Sequence, residues 1–109
     1  MDLVCRHSRI AERAVLHVSG EIDLATLPVF RDHLTRLADS NAGTTVYVDL
    51  DGVTVLDDTG LGMLLGATGR ARHRGGDLVV VCTTPSLLER FALTGLDRAV
   101  SVTNGPVAN

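Results

Sequence analysis

The segment from Val46 to Gly66 changes character twice within a few turns of chain. Val46-Tyr47-Val48 is β-branched and aromatic, the make-up of a buried strand. Asp49, Asp51, Asp57 and Asp58 then gather in what reads as the connection, and Thr59-Gly60-Leu61-Gly62 opens a helix running to about Arg74. A strand that delivers an acidic turn with one hydroxyl onto a helix N-terminus calls for a strand–helix unit of an α/β fold.

That helix carries two stripes. At about 100° per residue, Leu61, Leu64, Leu65 and Thr68 fall on one face, the spacing of a core-facing stripe. Gly62, Gly66 and Gly69 form a second stripe about a quarter turn away. Each glycine inside a helix costs about 0.8–1 kcal/mol relative to alanine, so the stripe needs a reason. One reading is close packing of helix and sheet backbones. The other is a bare surface against which a second protein can lie, with Asp58, Thr59 and Met63 beside it. Both stay open at this level.

The flanking segments fill out the unit. Leu3 to Ile10 reads as an edge strand and Ala11-Glu12-Arg13 as a hairpin connection to a second strand, Val15 to Ser19. Gly20 to Thr26 reads as a loop with carboxylates at Glu21 and Asp23. Leu27, Phe30, Leu34 and Leu37 recur at helical spacing, with Thr26 as N-cap, Pro28 in the first turn and Ser40 to Gly43 as the stop. The third strand is expected over Thr45 to Asp49. Leu78 to Val81 is an apolar strand ending at Cys82. Thr84-Pro85 starts a last helix with Leu87, Leu88 and Phe91 inside, and Thr94-Gly95-Leu96 ends it. Ala99 to Val102 is a final edge strand. The order ββαβαβαβ implies parallel pairing and right-handed crossovers.

Composition sets limits. The 109 residues, 45% of them apolar, suit a single domain spanning the chain, with a core over about residues 3–102 and a frayed tail over 103–109. The net charge of −3 and the lack of a basic run argue against nucleic acid. No segment has the length of a spanning helix, and the N-terminus lacks a signal-peptide pattern. Cys5 and Cys82 match no disulfide or zinc spacing and read as buried strand thiols in a reducing cytoplasm. The histidines read as sheet or solvated helix residues, and Arg70, Arg72 and Arg74 as a solvated basic end that complements the helix dipole.

Three kinds of chemistry compete for the acidic turn. Gly60-Leu61-Gly62 starts like a dinucleotide fingerprint, but position 65 is Leu, Gly66 comes one residue late, and the preceding acids repel a pyrophosphate. Asp49, Asp51, Asp57 and Asp58 could hold Mg²⁺, although the simpler reading is that Asp57 or Asp58 caps the helix while Asp51-Gly52 turns the chain. No cofactor or metal is expected, and no nucleophile–base pair stands out in the sequence, so an enzyme is not expected either. The third reading is a switch at Thr59. A phosphate there adds about −1.5 to −2 charges beside existing carboxylates, while the helix N-terminus tolerates it.

Three motifs carry a family resemblance: Gly20 to Thr26, Val48 to Gly62, and Leu93-Thr94-Gly95-Leu96-Asp97. Together they resemble the STAS domain of bacterial anti-sigma factor antagonists over nearly the whole chain. The resemblance implies an α/β STAS fold: a four- to five-stranded mixed sheet, a single layer with three to four helices mainly on one side. It implies a non-catalytic regulator, monomer or weak dimer, that binds an anti-sigma factor and so frees a sigma factor. That partner is usually a serine/threonine kinase of the histidine-kinase-like ATPase type, and a metal-dependent PP2C-type phosphatase resets the switch. The family's acceptor hydroxyl falls on Thr59 and its loop aspartate on Asp23, with Asp57, Asp58, Gly60, Gly62, Met63 and Gly66 as the expected partner surface. Two residues depart from the pattern, since the acceptor is most often Ser and the residue before it is often Ser or Ala-like, where this chain has Asp58. The alternative is a ligand- or nucleotide-responsive STAS module or a scaffold subunit that is not phosphorylated.

Overall fold

A computed structural model describes residues 2–104. The tail expected over 103–109 lies outside them except for Thr103 and Asn104. Strand β1 (Leu3–Ile10) turns through Ala11 and Glu12 into β2 (Arg13–Ile22). Helix α1 (Leu27–Ser40), strand β3 (Thr45–Leu56), helix α2 (Asp58–His73) and strand β4 (Asp77–Val81) follow. Helices α3 (Pro85–Thr94) and α4 (Leu96–Ala99) precede the short strand β5 (Ser101–Thr103).

The sheet order is β1-β2-β3-β4-β5. The β1–β2 pair is antiparallel and all others are parallel, as the hairpin and the strand–helix–strand spacing require. Alternation then decides the faces. Leu16, Val18, Val46, Val48, Leu50, Leu78 and Val80 point to one side and form a single core with Phe30, Leu34, Leu64, Leu87, Phe91 and Leu96 of the helices. Full burial of a Leu, Val or Phe side chain is worth about 1.5–3 kcal/mol. The opposite face carries Arg6, His17, Tyr47 and Asp49. Arg13 packs over the Tyr47 ring, 5.6 Å from its centroid.

Several local expectations are corrected. β3 does not stop at Asp49 but continues to Leu56, because Val53 and Leu56 are needed in the core. The Asp51-Gly52 turn is instead an irregularity in the β2–β3 register, where His17 faces Asp49 but Ser19 already faces Gly52. The Gly20–Thr26 loop is likewise shorter, since β2 runs on to Ile22. Leu65 leaves the core stripe and is 43% exposed, while Ala67 and Ala71 take the inward positions. Thr26 and Thr84 occupy N-cap positions without a side-chain capping bond. A four-residue helix, α4, replaces the start of the expected last strand. Cys82 is buried as expected but Cys5 only partly, and burial raises both thiols above their ordinary range.

The basic end of α2 is exposed, as expected, and its arginines are also paired. Arg70 grips both carboxylate oxygens of Asp39 at 2.8 and 3.0 Å, and Arg74 adds a bond of 2.7 Å, tying α2 to α1. The Arg70 hydrogen bond holds the Asp39 carboxyl below its usual range. Arg72 reaches Asp77 and the carbonyl of Ala99. His33, expected to be solvated, also meets His7 of β1 at 2.8 Å in an exposed contact.

Candidate functional site at the head of helix α2

The carboxyl ends of β2 and β3 lie side by side, with Ile22 opposite Leu56. The Asp57 amide donates to the carbonyl of Ile22 at 3.1 Å, so the loop after β2 and the entry to α2 share one end of the sheet. Parallel pairing thereby brings Asp23 near the Asp57–Thr59 turn across a sequence gap that no local rule spans.

Each aspartate has its own task. Asp57 is the N-cap of α2: its backbone is extended and its Oδ1 accepts from the Gly60 amide at 3.0 Å. Asp58 is exposed and meets Arg90 Nη2 of α3 at 2.6 Å. Asp23 Oδ1 accepts from the amides of Ala25 and Thr26 at 3.0 and 3.1 Å, an Asx-type turn. The buried Thr26 hydroxyl donates to the Glu21 carbonyl at 2.7 Å and pins the same loop. Asp49 and Asp51 are elsewhere: Asp49 bonds His17, and Asp51 holds the amide and hydroxyl of Thr83. The four acids therefore do not converge. Among the described residues no group of three or more His, Cys, Asp or Glu side chains could hold a metal ion.

Thr59 occupies the first turn of α2, is exposed, and its hydroxyl has no hydrogen-bond partner among the described residues. Below it the glycines divide by role. A Cβ on Gly60 would come within 2.7 Å of Leu56 Cδ1 and 2.9 Å of Ile22 Cγ2. Gly60 is thus buried and serves core packing, which removes it from the expected partner surface. At Gly62, Gly66 and Gly69 a Cβ would meet nothing within 4 Å. Close packing against the sheet therefore does not account for the stripe, which is open. Met63 and Gly66 line a groove of about 230 Å³ between α1 and α2, with Leu34 and Ala67 beside them and Arg31 and Arg70 at its edges.

Two apolar residues at this end of the sheet were not singled out by pattern. Leu24 is 82% exposed beside Asp23, and Val55 is 42% exposed near the end of β3. An apolar residue inside a recognised loop motif gives little signal until its lack of burial is seen.

A mixed five-stranded sheet with helices over one face defines a small α/β domain. The chain belongs to the STAS-domain family: residues 5–103 match the family described as "Mlab, STAS domain". The anti-sigma-B factor antagonist of Bacillus subtilis (strain 168) is 31% identical over 87 residues, 80% of this chain and 78% of that relative. A crystal structure of an anti-sigma factor antagonist from Mycobacterium paratuberculosis agrees with a TM-score of 0.85 at 24% identity, covering 95% of this chain and 87% of that one. The Bacillus cell fate determinant SpoIIAA in its phosphorylated form agrees at 0.67 and 19% identity, over 93% and 92% of the two chains. At such identities the two structures speak for the fold alone.

Proposed function

We propose that this chain is a cytoplasmic anti-sigma factor antagonist that docks on its anti-sigma factor through the head and open flank of α2. The partner is a serine/threonine kinase of the histidine-kinase-like ATPase type, whose sigma factor is released on docking. Phosphorylation of Thr59 ends the contact, and a PP2C-type phosphatase restores it. The domain itself is a monomer or weak dimer and performs no catalysis in this role. The observation that carries the reading is the Thr59 hydroxyl, exposed and without a partner among the described residues, at the top of a bare glycine stripe. The name of the Bacillus subtilis relative supports the same role.

The physical logic is a charge switch. Unmodified, the surface offers Asp23, Asp58, Met63, Gly62 and Gly66, with Leu24 and Val55 as apolar flanks and Asp57 holding the turn. Gly62 and Gly66 let a partner approach the helix backbone closely, which recovers part of their helix cost in the complex. A phosphate on Thr59 adds about −1.5 to −2 charges next to Asp57 and Asp58. The first-turn amides and the helix dipole accommodate it without unfolding. The domain survives while the docking surface becomes strongly anionic. Incubation with the partner kinase and ATP tests this: wild type gains one phosphoryl group on Thr59 and Thr59→Ala gains none. Modification at another residue, or none, contradicts the switch.

A further inference from the structure

The face of the sheet that the helices leave open holds a hydrogen-bonded relay across three strands. Ser8 Oγ of β1 lies 2.8 Å from His17 Nε2 of β2, and His17 Nδ1 lies 3.0 Å from Asp49 Oδ2 of β3. The other Asp49 oxygen, Oδ1, accepts from the Asp51 amide at 3.0 Å, which fixes the carboxylate. An ionised carboxylate only accepts, so Nδ1 carries the proton when His17 is neutral. Nε2 then presents its lone pair, and the Ser8 hydroxyl donates to it. The directions match those of a hydroxyl paired with a general base that a third group orients.

The surroundings favour reaction over a purely internal tie. Ser8, His17 and Asp49 are all only part-buried. Ser8 lines an open groove of about 420 Å³ shared with Arg36 and Leu37 of α1, and His17 and Asp49 line a separate cleft of about 270 Å³. Arg6 stands opposite His17 in the strand register, lines the same cleft and has no hydrogen-bond or ion-pair partner among the described residues. Among the described residues, Arg6 from β1 and Asp49 from β3 are the charged residues that line the cleft with His17. A guanidinium two residues from Ser8 on the same strand face suits an oxygen that gains negative charge.

We propose that Ser8 is an activated nucleophile, with His17 as its base, Asp49 as the positioning residue and Arg6 as the cation for the oxyanion, acting on small activated carboxylic esters. Ser8 Oγ forms a bond to the ester carbonyl carbon while its proton passes to His17 Nε2. The carbon–oxygen bond to the leaving alcohol breaks, the alcohol leaves with that proton, and an acyl-serine remains. Water, deprotonated by His17, then attacks the acyl carbon. The carboxylic acid departs and Ser8 regains its proton, so ester and water become acid and alcohol. This chemistry is separate from the switch at Thr59, on the other end and face of the domain.

Treatment of the full chain with a fluorophosphonate probe, followed by peptide mapping and p-nitrophenyl acetate turnover, tests the assignment. Expected is one phosphonyl group on Ser8, with fluoride displaced. Labelling and turnover fall at least tenfold in His17→Gln and Asp49→Asn and vanish in Ser8→Ala. An unlabelled wild type, a label on another residue, or rates indifferent to His17→Gln overturn the proposal, and none of these readouts depends on partner binding.

Discussion

Asp57 Oδ1 lies 3.0 Å from the amide nitrogen of Gly60, so the cap of α2 closes over the residue pair that contains the exposed Thr59. The cap keeps the first turn of α2 in place while leaving the Thr59 hydroxyl outside the bond. Asp57→Ala is expected to cost about 1 kcal/mol, the usual value of such a cap. Asp57→Asn retains most of it. Urea unfolding midpoints at pH 7 provide the check, and an Asp57→Ala protein as stable as wild type contradicts the assignment of the cap.

The glycines of α2 separate stability from docking. Gly66→Ala places a methyl in open space and should raise stability by about 0.8–1 kcal/mol, the helix propensity gain. The same substitution is expected to weaken partner binding. Gly60→Ala forces Leu56 and Ile22 aside and should lower stability by about 1–3 kcal/mol. Paired measurements of melting temperature and affinity distinguish the two sites, and a Gly66→Ala protein that loses stability contradicts the open stripe.

The hairpin between β1 and β2 is built on residues that fit it poorly. Ala11 and Glu12 both adopt positive φ, 52° and 70°, as a two-residue hairpin turn of this hand requires. Asparagine and glycine tolerate these values better. Ala11→Asn with Glu12→Gly is expected to stabilise the protein by about 1 kcal/mol. An unchanged or lower denaturation midpoint contradicts it.

His7 supplies a pH signal. Partial burial, then the nearby His33 and Arg36, hold its imidazole below the ordinary range. On acidification the unfolded chain takes up this proton first, so it binds more protons than the folded protein. This group therefore leaves stability unaffected above about pH 6.5, the ordinary imidazole value. Stability falls as pH drops from there through the lowered folded value. His7→Asn should flatten that part of the profile. Denaturation midpoints between pH 7.5 and 5 read the difference, and an unchanged slope contradicts the account.

Much of the fold was legible because its signals are local. The hydrophobic spacing of Leu27, Phe30, Leu34 and Leu37 placed α1, and the run Leu78 to Val81 placed β4. The position of Thr59 at the head of α2 was legible because a strand and a run of aspartates precede a helix there. The length of β3 was not legible: Asp51-Gly52 carries turn chemistry, yet core positions for Val53 and Leu56 keep the chain extended. The fate of the glycine stripe also lay beyond the sequence, since only packing decides which flank of a helix a sheet covers. The links His7–His33, Arg70–Asp39 and His17–Asp49 each join residues more than twenty positions apart, and strand register and helix docking decide them.

The most direct test of the switch compares the affinity of one anti-sigma factor for this protein before and after complete phosphorylation at Thr59, with Thr59→Ala alongside. The account predicts a loss of at least tenfold on modification, about 1.4 kcal/mol of binding free energy, with Thr59→Ala binding like the unmodified protein. Equal affinity of the two forms, with the phosphate confirmed on Thr59, contradicts it.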